Sequence, residues 1–450
     1  MTQFQRKNLF QLTLPLFIIG VFTVGVMLVD TLILAAYSDE LAAAVSVANQ
    51  ILSLAYDFSG LLAIGAAILI AQYLGKDDIQ SARRISVIAI CANTILSFFI
   101  ALVLMIGAPT FIDWVNTPPE VAQDARSYMN VIAVAMIMNG FIAAGYAVLR
   151  AFGHTWEIMV ASMFGSIPYL LLECVLIFGL WGVPELGVYG SALATLIIRI
   201  VTVAFLYYVM RRHLKFSWSF NAFSRDVWKH IWKLTRISLP SVTDNLLHNS
   251  YQLTILKFIS AFGVAAVLTR SYVLTLTAFA SMVAYIISQG NEVLVGYDKG
   301  GDDNESARRR ATRVALGTGT FTVALSLLFY VFSDVLIGMF TQNPEVLAEA
   351  KQVFQVNILL QFVMTANLIL FNSLKAVGDV YWPVAYSLSI TFLFALPLGW
   401  LLISHYEMGV VGMWIAMTAE EALKASVMYV RWRRMSWTRY NITESPVTIA

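Results

Sequence analysis

Long apolar stretches alternate with short polar segments along nearly the whole chain of 450 residues. A helix needs about 20 apolar residues to cross the roughly 30 Å of hydrocarbon in a bilayer. Twelve stretches reach this length, which predicts twelve transmembrane helices, referred to as spans one to twelve. The spans cover residues 10–36, 44–73, 85–109, 127–149, 158–181, 187–210, 236–261, 265–296, 314–337, 353–374, 380–404 and 408–430.

The pattern occurs twice. The loop Gly75–Arg84 (GKDDIQSARR) returns as Gly300–Arg309 (GGDDNESARR), 225 positions later. Three further landmarks keep this register, namely Leu14-Pro15 with Leu239-Pro240, residues 119–121 with 344–346, and residues 149–153 with 374–378. Such a repeat indicates two copies of one six-span module.

The predicted fold class is therefore an all-α integral membrane protein with two six-helix lobes. The first lobe covers residues 1–210 and the second covers residues 236–435. Residues 211–235 between them are expected to form a cytoplasmic linker with an amphipathic helix at 225–236 lying in the membrane interface. Residues 436–450 form a cytoplasmic tail, which is expected to be disordered after Arg439.

Composition supports a membrane location and sets the topology. Hydrophobic residues make up 59% of the chain and charged residues only 12%, against about 25% charged in soluble proteins. Lys and Arg concentrate in the loops after the even-numbered spans, which predicts that these loops and both termini are cytoplasmic. We expect a multi-pass protein of the bacterial inner (plasma) membrane. The net charge of +2 is spread over loops, so no nucleic-acid partner is expected.

Acidic residues inside spans are costly and are functional candidates by default. Asp30 lies toward the outer end of span one and Glu173 lies in the middle of span five. Two acids close together can take up a proton, or they can hold Na⁺ together with hydroxyl or carbonyl oxygens. The alternative is that either acid is solvated at the outer mouth or neutralised by Arg199. The repeat places Ile255 and a position near Ala395 at the equivalent sites, so the acidic centre belongs to the first module alone.

Span seven is too polar for a helix that faces lipid. Asp244, His248 and Gln252 follow each other at intervals of four and share one face, which predicts a cavity lining, with a structural ion pair as the alternative. In span twelve, Glu420 and Lys424 have the same spacing and are expected to neutralise each other. We expect the remaining substrate-cavity candidates to favour amphipathic, often cationic molecules through aromatic faces, although Arg270 would favour an anionic group. These candidates are Tyr56, Asp57, Arg270, Met282 and Glu292.

Small residues and cysteines add structural expectations. Five glycines, Gly140, Gly165, Gly182, Gly190 and Gly412, are expected to permit close helix packing. The two cysteines fall inside predicted spans, so neither a disulfide framework nor a cysteine metal cluster is expected. No cofactor and no metal site is expected beyond the coupling ion at Asp30 and Glu173.

The order of several short motifs resembles the multidrug and toxic compound extrusion (MATE) family, most closely its DinF-like branch. The motifs are Leu14-Pro15 followed by Val29-Asp30-Thr31, the loop 75–84, Leu149-Arg150-Ala151-x-Gly153, and Leu172-Glu173 followed by Gly187-x-x-Gly190-x-Ala192. The resemblance implies two six-helix lobes related by a pseudo-two-fold axis, with a central cavity between spans one, two, seven and eight. It also implies export of small organic substrates in exchange for H⁺ or Na⁺, and we expect a monomer.

The resemblance also implies roles for individual residues. Asp30 is similar to the span-one acid on which this family relies, and Glu173 stands where the DinF-like branch usually has Asp. Tyr169 stands where that branch often has Asn, and Thr195 is similar to its span-six hydroxyl. Loss of the Asn favours H⁺ over Na⁺. The NorM-like branch places acids in spans seven and ten, where this chain has His248 and Met364, so a second-lobe Na⁺ site is not expected.

Three other classes compete with this interpretation. A major facilitator transporter has twelve spans as well, but its loop after span two needs a second glycine where this chain has Ala82. A lipid-linked saccharide flippase of the same broad superfamily would use a cationic cavity, for which Arg199, Arg270 and Lys257 are candidates. A membrane-embedded enzyme would need a metal spacing or a Gly-x-Ser-x-Gly motif that the chain lacks, so we expect no enzymatic activity.

Overall fold

The computed structural model describes residues 6–115, 117–214 and 227–443. Over these ranges the chain folds into helices joined by turns, with no β-strand, so the all-α prediction is confirmed. The first half contains α1 Leu9–Tyr37, α2 Asp39–Ser59, α3 Leu61–Gly75, α4 Ile79–Trp114, α5 Pro119–Ala151, α6 Thr155–Phe178 and α7 Val188–Leu214. The second half contains α8 Val227–Ser260, α9 Val264–Gly300, α10 Asn304–Val331, α11 Ser333–Gly338, α12 Pro344–Ala376, α13 Tyr381–Ile390, α14 Leu396–Trp400 and α15 Gly409–Arg433.

These helices account for the twelve predicted spans. In the described part of the chain, ten helical segments are long and apolar enough to cross a bilayer. The two remaining segments are α8, which is span seven, and α15, which is span twelve. Both are long, with 34 and 25 residues, but they carry the polar and charged side chains that the sequence places in those spans. These two segments are long enough to cross a bilayer, but the mean hydropathy of their most apolar stretch is lower than in the other ten.

Two spans are interrupted helices. Span two breaks at Gly60, between α2 and α3, and Asn93 of α4 fills the break. The Asn93 side chain donates to the carbonyl oxygens of Ser59 at 2.6 Å and Gly140 at 2.7 Å, and accepts from the Leu62 N–H at 3.1 Å. Backbone groups freed inside a membrane need such protein partners because no water is available.

Span eleven is irregular in a different way. It runs through α13, a π-helical turn at Thr391–Ala395, α14, and a second π-helical turn at Leu401–His405. Pro397, at the start of α14, removes one backbone donor from this helix. Short π-helical turns within α-helices frequently mark functional positions.

The internal repeat extends to individual backbone angles. Asp77 and Asp302 both adopt a left-handed φ of 58°. The next residues, Asp78 and Asp303, cap the following helices by accepting from the N–H three residues on, at 3.0 Å in each case. Pro119 and Pro344 each begin a helix. The two copies therefore share turns and caps as well as hydropathy.

The structure divides into two compact units, residues 1–239 and 240–450, with the boundary inside α8. Residues 215–226 of the predicted linker lie outside the described residues, and residues 211–214 before them belong to α7. From Val227 onward the chain already belongs to α8 and continues into span seven without a break. Trp228 and Trp232 on this first part of α8 are exposed.

The predicted disordered tail needs correction over its described part. Trp437 is fully buried and stacks on Trp432. Ile442 is buried and lies next to Gly378, while the Tyr440 hydroxyl accepts a hydrogen bond from Arg431 at 3.3 Å. The described residues after Arg439 are therefore ordered, because Tyr440 and Ile442 pack onto the second unit beside the buried Trp437.

The basic loops of each unit gather at one end of that unit. In the first unit, Arg6 donates to the carbonyl oxygen of Gly75 at 3.3 Å, and Lys7 lies against Gly153. In the second unit, Lys299 donates to the Thr438 carbonyl oxygen at 3.0 Å, and Arg431 pairs with Asp379 at 2.6 Å. Loops that the charge pattern assigned to one side of the membrane therefore do meet within each unit.

Four of the five selected glycines lie at close contacts and one does not. A Cβ atom at Gly140, Gly165, Gly190 or Gly412 would come within 3.1 Å of an atom from another part of the chain or an adjoining turn. Gly182 has open space around it and a φ of 84°, so the packing expectation for Gly182 is wrong. It serves a left-handed turn in the loop after α6.

Gly190 allows the tightest backbone approach near the acids. A Cβ atom there would lie 2.7 Å from the carbonyl carbon and oxygen of Leu176, and no side-chain rotation relieves a clash with backbone. We expect Gly190→Ala to lower the free energy of unfolding by about 1–3 kcal/mol, measured by thermal unfolding of the purified protein in detergent. Gly317→Ala is the control, because Gly317 lies in α10 with no atom within 4 Å. Equal stability of the two variants would contradict the close approach.

Candidate functional site

Two acidic side chains from different helices meet at one tyrosine hydroxyl in the first unit. The Tyr169 hydroxyl contacts Asp30 Oδ1 in a short hydrogen bond and lies 2.9 Å from Glu173 Oε1. Asp30 comes from α1, whereas Tyr169 and Glu173 come from α6. The two acids predicted as a pair are thus brought together, and the bridging residue is the tyrosine that the family resemblance singled out.

Local helix geometry explains this meeting. Tyr169 and Glu173 are four residues apart, so they lie on one face of α6, one turn from each other. α6 packs along α1, which brings Asp30 to that same face. α1 is unbroken across Pro15, and at 1.5 Å per residue Asp30 lies about 22 Å further along the axis. Pro15 is therefore remote from the acid cluster.

The neighbouring helix α7 contributes a second hydroxyl. The Ser191 hydroxyl donates to Glu173 Oε1 at 2.7 Å. Ser191 follows Gly190, whose missing side chain lets α7 approach the end of α6. Glu173 is fully buried, and its other oxygen, Oε2, has no hydrogen-bond partner. Glu173 is thus the enclosed member of the pair, whereas Asp30 is half-buried.

A cavity of about 380 Å³ opens beside Asp30 within the first unit. Asp30, Tyr169, Thr195 and Arg199 all line it. Three further tyrosines contribute aromatic surface, and Asn49 and Asn139 contribute amide groups. The tyrosines are Tyr56, Tyr128 and Tyr146. The cavity therefore offers an acid, aromatic faces and polar groups to one ligand.

Arg199 lines this cavity without bonding to the acids in the described contacts. Its guanidinium donates to the Tyr56 hydroxyl at 2.8 Å and to the Ala135 carbonyl oxygen at 3.2 Å, and it lies 5.1 Å from the centre of the Tyr56 ring. The alternative in which Arg199 neutralises Asp30 or Glu173 is therefore not the arrangement that forms. Arg199 instead fixes Tyr56 on the cavity wall.

The hydrogen bonds around Tyr169 constrain where protons sit. A phenol has one hydrogen to donate, and an ionised carboxylate only accepts. Tyr169 therefore cannot donate fully to Asp30 and to Glu173 at once. Both contacts are satisfied when one carboxyl carries a proton and donates to the Tyr169 oxygen while Tyr169 donates to the other. The geometry accommodates one proton shared among the three side chains.

In the second unit, the predicted face of span seven forms a chain of weak polar contacts. Gln252 Nε2 lies 3.4 Å from His248 Nε2, and Arg270 donates to Gln252 Oε1 at 3.4 Å. Asp244 lies within electrostatic range of His248 and also interacts with Ser387. These side chains are brought to one region of the unit. Met282 and Glu292, predicted for the same cavity, are half-buried on α9.

A buried charged cluster lies on α15 and its neighbours. Lys424 pairs with Glu420 at 2.7 Å, with both side chains at most 4% exposed, as expected for a pair that neutralises itself. The cluster is larger than the sequence indicated. Thr391, which begins the first π-helical turn of span eleven, donates to Glu420 at 2.6 Å, and Asn367 of α12 donates to Glu421 at 2.9 Å. The second unit thus provides its acids with a lysine, which the acids of the first unit lack among their described contacts.

A family model and several known proteins match the chain along most of its length. The MatE family model matches residues 15–176 and again residues 240–401, with the same offset of 225 as the internal repeat. The chain belongs to the MATE family. It is a multi-pass membrane transporter and not an enzyme, so the interpretation as a major facilitator is wrong.

Individual relatives of this MATE protein cover nearly its full length. It is 31% identical to a Bacillus subtilis protein described as the uncharacterized transporter YisQ, over 96% of this chain and 94% of the relative. It is 22% identical to the probable multidrug resistance protein NorM of Thermotoga maritima, over 96% and 93%. The Vibrio cholerae MATE transporter VcmN in its bent form superposes with a TM-score of 0.86 at 20% identity, covering 96% of both chains. The fold of this protein is therefore that of MATE transporters, and its placement in the DinF-like branch stays a prediction.

Some predicted site residues of this MATE transporter lie apart from the acids. Thr195 lines the cavity, but its hydroxyl donates to the Ser191 carbonyl oxygen of its own helix at 3.2 Å. Asp57 is exposed on α2, and the described cavity lining does not include it. Ser191 was missed, although it occupies a variable position of the motif Gly187-x-x-Gly190-x-Ala192. Its position directly after the close-packing Gly190 is the signal that could have found it.

The two hydroxyls of α7 provide a matched test. Ser191→Ala removes a donor from a fully buried carboxyl group, and we expect the free energy of unfolding to fall by about 1–3 kcal/mol. Thr195→Ala removes only a bond to a carbonyl of its own helix, and we expect a change within about 0.5 kcal/mol. Thermal unfolding in detergent measures both. A larger loss in Thr195→Ala than in Ser191→Ala would show that the hydroxyls have exchanged roles.

Proposed function

We propose that this MATE transporter is a secondary active antiporter that exports amphipathic, often cationic, organic compounds in exchange for protons. The meeting of Asp30 and Glu173 at the Tyr169 hydroxyl, beside a cavity, is the observation that carries the proposal. An exchanger needs a group that binds either the ion or the cargo. Asp30 meets that requirement because it touches the ion-binding cluster and also lines the cavity.

The ligands around the acids favour H⁺ over Na⁺. Sodium is a hard cation that needs several oxygen lone pairs directed at one point. Near Glu173, Ser191 instead donates its hydroxyl hydrogen to the carboxyl oxygen, and Tyr169 shares its one hydrogen between Asp30 and Glu173. Both hydroxyls would have to turn their hydrogens away before their oxygens could coordinate Na⁺. These hydroxyl hydrogens stabilise carboxyl groups that share a proton. Their positive partial charge repels a metal cation at the same position. Na⁺ remains the alternative coupling ion for the test below.

Competition at Asp30 supplies the coupling. A cationic substrate in the cavity is stabilised by an ionised Asp30, and a proton on Asp30 removes that charge. Each ligand therefore lowers the affinity for the other by the same factor. Protons entering from the more acidic exterior release the substrate there, and the substrate displaces the proton on the other side as the protein alternates between two states.

The cavity walls favour flat amphipathic cations. Tyr56, Tyr128 and Tyr146 present aromatic surface, and a cation over such a ring gains about 0.5–2 kcal/mol. Arg199 is already held by Tyr56 and Ala135, which reduces its availability to an anionic substrate. An anionic cargo, as in a lipid-linked saccharide flippase, is less well matched.

The gathered basic loops support a topology for the proposal. Lys and Arg in short loops stay cytoplasmic, and in each unit these loops lie at one end together with the terminal segments. We infer a bacterial inner-membrane protein with both termini in the cytoplasm. Asp30, near the far end of α1, is then reached by protons from the exterior.

Substitution of the cavity acid tests the proposal. Proteoliposomes with an imposed pH gradient and no Na⁺ are loaded with ethidium, and its export is followed by fluorescence. Asp30→Asn keeps the shape and removes the proton site, so we expect gradient-driven export to be lost while the protein still inserts and folds. Asp113→Asn is the control, since Asp113 is an exposed acid at the end of α4.

Three outcomes would contradict the proposal. Full export by Asp30→Asn would remove the acid from the coupling step. Export by the wild type only when a Na⁺ gradient is imposed would replace the proton by sodium. Transport of labelled lipid-linked sugar without ethidium export would instead indicate the flippase alternative.

A further inference from the structure

Two histidines and a glutamate converge at the basic end of the first unit, away from the acid cluster. His154 precedes α6, Glu157 lies in its first turn, and His213 lies in the last turn of α7. His154 Nδ1 lies 2.9 Å from Glu157 Oε1, and His213 Nδ1 lies 3.9 Å from the same oxygen. Three side chains from two helices thus direct their ligand atoms at one small volume.

The spacing suits a transition-metal ion. The three ligand atoms all lie within 4.8 Å of one another. A tetrahedral Zn²⁺ holds nitrogen and oxygen ligands at about 2.0–2.1 Å, which separates them by about 3.3 Å. The distances of 2.9 Å and 3.9 Å to Glu157 bracket that value. Small side-chain rotations therefore suffice to form the site, because His213 is on an exposed helix end.

The three side chains are accessible to an ion from solvent, and one oxygen of Glu157 lacks a hydrogen-bond partner. Between 23% and 37% of each side-chain surface is exposed, so an ion can enter from solvent. The second oxygen of Glu157, Oε2, is buried without a hydrogen-bond partner. Lys7 is the nearby cation that competes for Glu157.

Among the described residues, the second unit has no metal-ligand set at the equivalent positions and joins the helix ends in another way. At a shift of 225, His154 corresponds to Asp379 and Glu157 corresponds to Trp382. There, Asp379 pairs with Arg431 at 2.6 Å, and Arg431 lies 4.1 Å above the Trp382 ring. The second unit therefore joins the equivalent helix ends by an ion pair. The first unit has two imidazoles and one carboxylate instead, which is a ligand set that Zn²⁺ uses.

We propose that His154, Glu157 and His213 form a binding site for Zn²⁺ or a similar divalent transition metal, with water as the fourth ligand. The ion would join the start of α6 to the end of α7. The ion would occupy Nδ1 of His154 in place of the hydrogen there, which moves to Nε2 of a neutral imidazole. A protonated imidazole must lose a proton before it can bind the ion, so binding weakens as the pH falls. α6 and α7 also carry Tyr169, Glu173 and Ser191, and the site thus joins the helices of the acid cluster at their other ends.

Metal binding to the purified full-length protein tests this proposal. The protein carries a purification tag without histidines, and Zn²⁺ binding is followed by competition with a fluorescent zinc indicator. We expect one Zn²⁺ per chain. His154→Gln and His213→Gln should each weaken binding more than about tenfold, and His405→Gln should leave it unchanged because His405 is exposed on the second unit. Zn²⁺ should also raise the unfolding temperature of the wild type and not that of His213→Gln.

The contrary results are specific. Absence of Zn²⁺ binding to the wild type, or unchanged binding in both histidine variants, would show that the cluster is only a hydrogen-bonded clasp between helix ends. Substitution by Co²⁺ gives a second readout, because a tetrahedral site produces intense visible absorption that an octahedral hydrated ion lacks. Since binding is measured without a gradient or a substrate, the result does not depend on the proposed antiport.

Discussion

The hydroxyl of Tyr169, shared by carboxyl groups from two helices, is the interaction that organises the functional chemistry of the first unit. Hydrocarbon offers no water to an acid, so a buried carboxyl group needs donors from the protein. Tyr169 and Ser191 are such donors. Tyr169 lies one turn from Glu173 on α6, and Ser191 reaches Glu173 because Gly190 lets α7 approach α6. The packing of α6 on α1 adds Asp30 to the same hydroxyl. Packing, hydrogen bonding and proton binding are therefore coupled at this place.

The two units show how one scaffold carries different chemistry. Their turns and helix caps follow the same repeat. In the second unit, Lys424 compensates Glu420 inside the protein, so that pair is charge-balanced without an external ion. In the first unit, the acids contact hydroxyl groups, and in the proposed antiport a proton completes the site. This asymmetry is why the exchange step is assigned to Asp30 and Glu173.

The two acids of the first unit also differ in which ligand they can contact, the substrate or the coupling ion. Asp30 belongs both to the acid cluster and to the cavity wall, whereas Glu173 is fully enclosed. The more accessible member of the pair, Asp30, can meet a cationic substrate, and the enclosed Glu173 can retain the proton of the proposed exchange. Arg199, the one basic side chain described on that wall, is held against Tyr56, so the negative charge of Asp30 is not cancelled by a direct bond.

Sequence patterns predict the parts of this structure that are determined by the lipid bilayer and by local turn chemistry. Apolar length fixes the spans, and repeated polar turns fix the duplication, since both depend on local chemistry and on the bilayer. The acid pair was also predictable, because carboxyl groups inside apolar helices are rare. The hydrogen-bond partners of these acids were not predictable from the sequence. Ser191 and Thr195 are both small hydroxyl residues of α7, and only helix packing decides which one faces Glu173. Gly182 and residues 440–443 were misjudged because their roles depend on a backbone angle and on a tertiary surface.

The central claim is that one proton resides among Asp30, Tyr169 and Glu173 and leaves when substrate binds. Infrared difference spectroscopy of the purified transporter, with and without a cationic substrate in Na⁺-free buffer, measures this directly. We predict loss of a protonated carboxyl C=O band on substrate addition, with a matching gain of carboxylate signal and no change when Na⁺ is added alone. A substrate-induced spectrum without any carboxyl band, or one produced by Na⁺ in place of substrate, would contradict the claim.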